Sequence, residues 1–266
     1  MSSTSLLAGF SAPPLGLLSV EPLRAALEYA SMRFMAKADH PPGDGHPVVI
    51  FPGLATDQRS TAPLHDFCER LGYRSRDWGR GLNTGPHGDI HAWLDQLAND
   101  VCELVAGYPQ RVSLVGWSLG GIYAREVAKK LPDRVRHVIT IGTPFAGSVE
   151  QTNVAWVYRL LNGQHPVLNE ALRRQLHAPP DVPTTSIYSR TDGVVAWRAC
   201  LNPIGRRLTE NIEVTGSHCG LGWNPTVLSI VADRLGQPEG MWRPYGARAA
   251  TCVSVDPKKM CIERRA

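Results

Sequence analysis

Cysteine is scarce in this chain, six residues in 266, too few to lay out the disulfide framework of a small secreted domain. No group of His, Cys, Asp or Glu falls at a spacing that would hold a metal ion, and neither a Walker nor a Rossmann glycine signature is present. No metal and no cofactor is therefore expected. Excess charge is thin as well: the formal net charge is +4, and six Lys/Arg against three Asp/Glu in 237–266 carry most of it. That leaves no dense basic stripe on the remainder, and no nucleic-acid partner is expected. Long apolar runs are missing too. Residues 1–20 contain no charge, but Pro13, Pro14, two Gly and several Ser interrupt them, so no transmembrane segment is expected there. The first basic residue is Arg24, whereas a secretory signal places Lys or Arg ahead of its apolar stretch; the expectation is an irregular arm on a cytoplasmic protein.

What is present is the make-up of an ordinary globular protein, 43% hydrophobic and 20% charged, with chain enough to bury a full core. Leu23, Ala26, Leu27, Ala30 and Phe34 recur at helical spacing, so Pro22 to Phe34 reads as an amphipathic helix docked on the outside by that face. Val48 to Phe51 is a short, continuously apolar, β-branched run of the kind that parallel sheets bury on both faces. Helical spacing returns at Leu64 to Leu71, closed by Gly72, and again from Ile90 to Val105. Weaker strand character at Tyr73 to Asp77 separates them. Val112 to Val115, Val138 to Ile141, Thr184 to Ser189 and Asn211 to Val214 read as further strands, with a helix at 119–130 and a last one opened by Asn224 and Pro225. Strands alternating with helices imply one mainly parallel sheet with helices on both faces. The division expected is an N-terminal arm and helix at 1–46, an α/β domain at 47–236 interrupted by a short helical cap at 147–182, and a C-terminal extension at 237–266.

Gly116-Trp117-Ser118-Leu119-Gly120 has the pattern G-x-S-x-G and sits where a strand meets a helix, the context in which that pattern presents a nucleophile. Small residues are needed on either side of the serine because the sharp turn crowds the backbone. A serine hydroxyl needs a base, and the base needs a third group to hold its tautomer. Of nine histidines, His218 alone falls in a Gly-Ser-His-Cys-Gly loop between a late strand and the last helix. His91 and His177 lie in helical patterns, and His40, His46 and His87 in polar loops, where solvated or structural roles suit them. Asp192 directly follows the strand Thr184 to Ser189, with Gly193 allowing a tight turn, while Asp181 and Asp133 lie at the wrong ends of their elements. The expected constellation is Ser118 as nucleophile, His218 as base and Asp192 as its partner. The N–H of Leu119, at a helix N-terminus, and that of Leu54, in the loop Phe51-Pro52-Gly53-Leu54-Ala55, are the expected oxyanion donors.

These residues, together with Trp78-Gly79, Gly81, Asn83, Gly142-Thr143-Pro144-Phe145-Ala146-Gly147-Ser148, Asp192-Gly193-Val194-Val195 and Gly216-Ser217-His218, resemble a serine esterase or lipase of the α/β-hydrolase superfamily, in its lipase-like branch. The resemblance spans about 48–235. It implies the α/β-hydrolase fold, an acyl-enzyme mechanism and the three catalytic roles just named. It departs from the lipase pattern in lacking the triple-glycine oxyanion motif.

The function expected is hydrolysis of a small-molecule or lipid-like carboxylic ester. A thioesterase or acyltransferase would use the same three residues, and a non-catalytic hydrolase-like binding protein would be marked by the loss of one; all three are present. Trp117 and Trp156 are candidate substrate-binding residues. Trp117 either lines the pocket or fills space behind the serine. Trp156 belongs to a segment, Val154 to Leu161, apolar around nearly its whole circumference, which either covers an acyl chain or packs on the sheet edge and its neighbouring helix. Cys200 and Cys219 lie in the loops after Asp192 and His218, so a disulfide between them and two reduced thiols are both open. Cys252 and Cys261 in the tail are equally free to pair or not.

Overall fold

The protein is described by a computed structural model over residues 12–34, 40–146 and 170–246. Six strands form one parallel sheet in the order β2-β1-β3-β4-β5-β6: β1 Pro47–Phe51, β2 Arg74–Asp77, β3 Val112–Trp117, β4 Val135–Ile141, β5 Thr184–Ser189 and β6 Thr209–Val214. Strands β1, β3 and β5 are buried from end to end; β1 accordingly reads as a continuous apolar run, whereas β5 is buried with Thr184, Thr185, Ser186 and Ser189 in it. The edges differ. Arg74, Arg76 and Asp77 of β2 and Glu210 and Glu213 of β6 put charge where an unpaired strand would otherwise recruit another chain.

Alternation along each strand divides the core in two. Val48 and Ile50 face a layer built from α2 (Gln58–Leu71) and α6 (Pro225–Leu235), through Leu64, Phe67, Val227 and Val231. Val49 and Phe51 face α3 (Ile90–Leu104) and α4 (Leu119–Lys130), through Leu94, Leu97, Tyr123 and Val127. The expected three-layer architecture is thus present. Caps set several boundaries: Asp57 accepts from the Arg59 N–H at 2.9 Å and starts α2 seven residues before its first apolar contact at Leu64. Asn224 caps α6 with Pro225 in its first turn. Gly72 closes α2 at φ 98°, a conformation that glycine adopts without a Cβ penalty.

The N-terminal helix differs from expectation in extent and in orientation. Helix α1 runs Leu15–Arg33, continuing through Pro22. The face carrying Leu23, Leu27 and Phe34 is turned outward, with exposures of 65%, 60% and 87%, while Glu21 is 2% exposed and Ala25 is also buried. Apolar spacing misread this helix because its inner face is held by hydrogen bonds from backbone groups of distant loops. Of the expected cap, the described part is α5, Glu170–His177, with Leu172 and Leu176 buried. It is tied to α4 where Gln175 Nε2 donates to Glu126 Oε2 at 2.8 Å. Residues 147–169, including Trp156, lie outside the described residues, as do Cys252 and Cys261. Among the described residues no helix is long and apolar enough to cross a membrane.

Candidate active site

Because the sheet is parallel, the loops after β1, β3, β4, β5 and β6 all leave from one edge, the place where α/β sheets bind ligands. Ser118 follows β3 and adopts φ 54°, ψ −125° as it enters α4. Only Ala55 and Ser118 among the described non-glycine residues have positive φ. Strain of this kind persists where surrounding packing over-determines it, and here the packing is explicit. A Cβ on Gly116 would collide with Gly121 Cα, one on Gly120 with the Phe51 carbonyl, and one on Gly121 with Thr143 Oγ1. The Ser118 N–H donates to the Ile141 carbonyl at 2.8 Å, so the turn is anchored to β4 as well.

His218, in the loop after β6, brings Nε2 to 3.1 Å from Ser118 Oγ and Nδ1 to 2.7 Å from Asp192 Oδ2. The other Asp192 oxygen accepts the N–H groups of Val194 at 2.8 Å and Val195 at 2.7 Å, which fixes the carboxylate in the plane the imidazole requires. Asp192 and His218 are buried and Ser118 is partly exposed. Burial works against the imidazolium, but the Asp192 carboxylate, by charge and hydrogen bond, and Glu21 outweigh it, so the His218 pKa is raised above the usual 6.5. The three residues expected to meet are therefore brought together, His218 standing within hydrogen-bonding distance of both Ser118 and Asp192.

A second Ser-His-Asp line exists in the molecule. Ser113 Oγ lies 2.8 Å from His46 Nε2, and His46 Nδ1 contacts Asp44. Ser113 and His46 are fully buried, and Ser113 lies near the N-terminal end of β3, at the opposite edge of the sheet from Ser118, with no positive φ. Its hydroxyl has no route to a substrate, so the line is structural: it joins the loop before β1 to β3, with Arg136 on the outer side of Asp44.

The loop after β1 approaches the nucleophile closely: a Cβ on Gly53 would stand 3.2 Å from Ser118 Cβ. Among the described residues the Leu54 N–H has no acceptor, while the Ala55 N–H is taken by the Asn83 carbonyl at 2.7 Å. The Leu119 N–H begins α4, in the first turn where helix N–H groups lack intrahelical acceptors. Asn83, for which the sequence offered only a place in the motif set, is the buried clamp of this loop. Its Nδ2 donates to the Pro52 carbonyl at 2.8 Å, and its Oδ1 accepts from Gly85 N–H and Tyr123 OH.

Trp117 is buried, and its indole N–H donates to the His218 carbonyl at 3.2 Å. Of the two readings open for it, pocket wall or filler behind the serine, the described contacts are those of the second. Cys200 and Cys219 are unbridged. Gly193 lies in the turn after Asp192, across which Val194 and Val195 N–H reach back to the Asp192 carboxylate, without needing positive φ. It is needed because the α1 backbone packs on it, with Leu17 C only 2.6 Å from where a Cβ would be. A buried residue of the site that no sequence pattern marks is Glu21, which accepts from the His218 N–H at 3.0 Å. Its one distinction is being the first charged residue of the chain.

The chain belongs to the alpha/beta hydrolase family, whose sequence profile matches residues 48–254. Among curated relatives, a pimeloyl-[acyl-carrier protein] methyl ester esterase of Shewanella woodyi is 29% identical over 102 residues, 38% of this chain and 37% of that protein. The match thus spans little more than a third of that relative's length. Bovine (Bos taurus) mitochondrial palmitoyl-protein thioesterase ABHD10 is 25% identical over 72% of this chain and 74% of its own. Among solved structures, Aspergillus fumigatus lipase B superposes with a TM-score of 0.58 at 20% identity, covering 80% of this chain and 58% of the lipase. Bacillus licheniformis lipase BlEst2 does so at 0.56 and 18%, covering 75% and 96%. These likenesses establish the fold.

Proposed function

We propose that the protein is a carboxylic-ester hydrolase that works through an acyl-enzyme on Ser118. The observation that carries this reading is the unbroken hydrogen-bonded line from Ser118 Oγ through His218 to Asp192, with the hydroxyl held in a strained, partly exposed position. His218 Nε2 takes the Ser118 proton as Oγ bonds to the ester carbonyl carbon, and the carbonyl oxygen becomes an oxyanion. The N–H groups of Leu119 and Leu54 receive that charge, the first reinforced by the helix N-terminus. The imidazolium then gives its proton to the leaving alkoxide as the C–O bond breaks. Water, deprotonated by His218, attacks the acyl-enzyme, and Ser118 regains its proton as the acid departs. Asp192 keeps Nδ1 protonated and stabilises the imidazolium. The substrate class is a small-molecule or lipid-like ester; Trp156 is the proposed substrate-binding residue, while Trp117, bonded to the His218 carbonyl, supports the base loop.

A thioesterase is the second reading, favoured by the likeness to the bovine palmitoyl-protein thioesterase over most of both chains. The same tetrahedral intermediate serves both, and only the leaving group differs. The test is a fluorophosphonate probe, which should label Ser118 and fail to label folded His218→Ala protein. A chain-length series of nitrophenyl esters run beside the matching thioesters then assigns the leaving group. Folded wild-type protein that takes no label would overturn the proposal.

A further inference from the structure

The inner face of α1 is committed to the two loops that carry the acid and the base. Glu21, Arg24 and Glu28 lie on one side of the helix at intervals of three and four residues. Glu21 Oε1 accepts the N–H of Gly193, beside the acid, at 2.8 Å and that of His218 at 3.0 Å, while its Oε2 accepts the Cys219 N–H at 3.0 Å. Arg24 donates to the carbonyl and hydroxyl of Thr191. Glu28 accepts the Ser217 N–H at 2.7 Å and the Ser217 hydroxyl at 3.1 Å. Both loops are built to admit the helix. A Cβ on Gly193 would meet the Leu17 backbone, and one on Gly220 would collide with Glu28 Oε2.

We propose that Glu21 is a positioning residue of the catalytic site, its one carboxylate bridging the acid loop and the base loop so that α1 sets the distance between Asp192 and His218; this rests on the Ser118 hydrolase reading. Three main-chain donors from two loops converge on a group excluded from water, where hydrogen bonds to a carboxylate are strongest. The bridge has a partial backup, since Ser189 Oγ donates to the Gly216 carbonyl at 2.8 Å, but that bond holds the stems of the loops and not their functional residues. Besides geometry, Glu21 places a second negative charge behind the imidazole. The charged and titratable groups around the His218 loop are Asp192 after β5, Glu21, Arg24 and Glu28 on α1, and Cys219 next in sequence. Of these, Asp192 and Glu21 favour the imidazolium that forms as Ser118 attacks.

The test compares Glu21→Ala, Glu21→Gln and the core variant Leu64→Ala in the full chain, by kcat, KM and the pH dependence of kcat/KM on a short nitrophenyl ester. Glu21→Ala should lower kcat roughly 10- to 100-fold with KM within about twofold, because displacement of the base on the scale of an ångström is felt in turnover. Glu21→Gln keeps an oxygen for two of the three donors and should lose less. It should still move the acidic limb of kcat/KM to lower pH, one supporting anion being gone. Leu64→Ala, lowering Tm to a similar degree, should leave that limb where it is. Wild-type kcat and an unmoved limb in Glu21→Gln would overturn the proposal, as would a Leu64→Ala variant that reproduced both effects. If wild-type protein neither turns over esters nor labels at Ser118, the hydrolase reading fails on its own, and an NMR titration of the His218 ring then judges Glu21. A lower ring pKa in Glu21→Gln supports the bridge and an unchanged one rejects it.

Discussion

Gly53 and Ser118 approach so closely that a methyl group on the glycine would stand 3.2 Å from the serine Cβ. That distance is tight without being prohibitive, so Gly53→Ala should fold, with the loop displaced by a few tenths of an ångström. The displacement moves the Leu54 N–H, the proposed oxyanion donor, away from Ser118. A fall in kcat on the order of 10-fold is expected, part of the roughly 100-fold or greater cost of losing such a donor outright. Steady-state kinetics beside a thermal melt separate the two effects, and an unchanged kcat would remove Leu54 from the oxyanion site.

The raised pKa of His218 has a signed consequence for the pH profile. The free base is needed for Ser118 to attack, so kcat/KM should rise with pH and reach half its plateau above 6.5. Asp192→Asn removes the larger of the two anionic supports, so the half-point should move down in pH while kcat falls by roughly 10³- to 10⁴-fold. A half-point at or below the ordinary histidine value in the wild-type enzyme would contradict the geometry around Nδ1.

Acid should weaken the fold through histidines that take no part in the site. His137 is buried in β4 against Thr185 Oγ1 at 3.0 Å, and burial, helped by Arg234 and Arg136, pushes its pKa down to about 3. The unfolded chain takes up that proton near 6.5, so stability falls as pH drops from about 6.5 towards about 3. Between pH 7 and 4 the loss from a residue so placed is roughly 3 kcal/mol, and burial lowers the pKa of His46 in the same direction. Urea unfolding at the two pH values should show this slope, and His137→Gln should flatten it. A wild-type stability that is flat over this range would exclude neutral burial of His137.

Cys219 lies one residue from the base, yet it is a poor target for alkylation. Burial, with Glu21 and Asp192 adding their charge, pushes its thiol pKa up to about 12. The thiolate is the nucleophile, so iodoacetamide at pH 8 should modify it far more slowly than it modifies free cysteine, and activity should survive the treatment. Rapid alkylation with inactivation would contradict this environment.

Gly120→Ala is expected to disrupt the protein itself. Its new Cβ would be driven into the Phe51 and Pro52 backbone, and backbone atoms at the end of an interior strand have no flexible tip that can give way. A loss of about 3 kcal/mol or more is expected, read as a lowered denaturation midpoint. A fully stable variant would mean that the strand-to-helix turn is looser than its contacts require.

The parts of this molecule that could be read from residues alone are those governed by neighbours in sequence. Val48 to Phe51, Thr184 to Ser189 and the Asn224-Pro225 start of the last helix lie where periodicity and capping place them. The serine is likewise local, because glycines at 116, 120 and 121 are demanded by a turn only a few residues long. Ser118, Asp192 and His218 could be paired from their places after β3, β5 and β6, since a parallel sheet sends every such loop to one edge. Helix α1 is not legible from its apolar period, because its inner face makes polar contacts. Glu21 is buried by donors 172 to 198 residues away, and no local pattern marks a carboxylate for that fate. A second demand on Gly193, the close approach of the Leu17 backbone, is likewise invisible in local sequence.

Short-range chemistry in the chain was enough to specify the alternating architecture, the strained serine and the identity of its two partners, because each follows from backbone sterics or from strand direction. How far apart the acid and base loops sit, which face of α1 is turned inward and which of two Ser-His-Asp lines reaches solvent were settled by packing between segments remote in sequence. Those contacts depend on distances that no local spacing encodes.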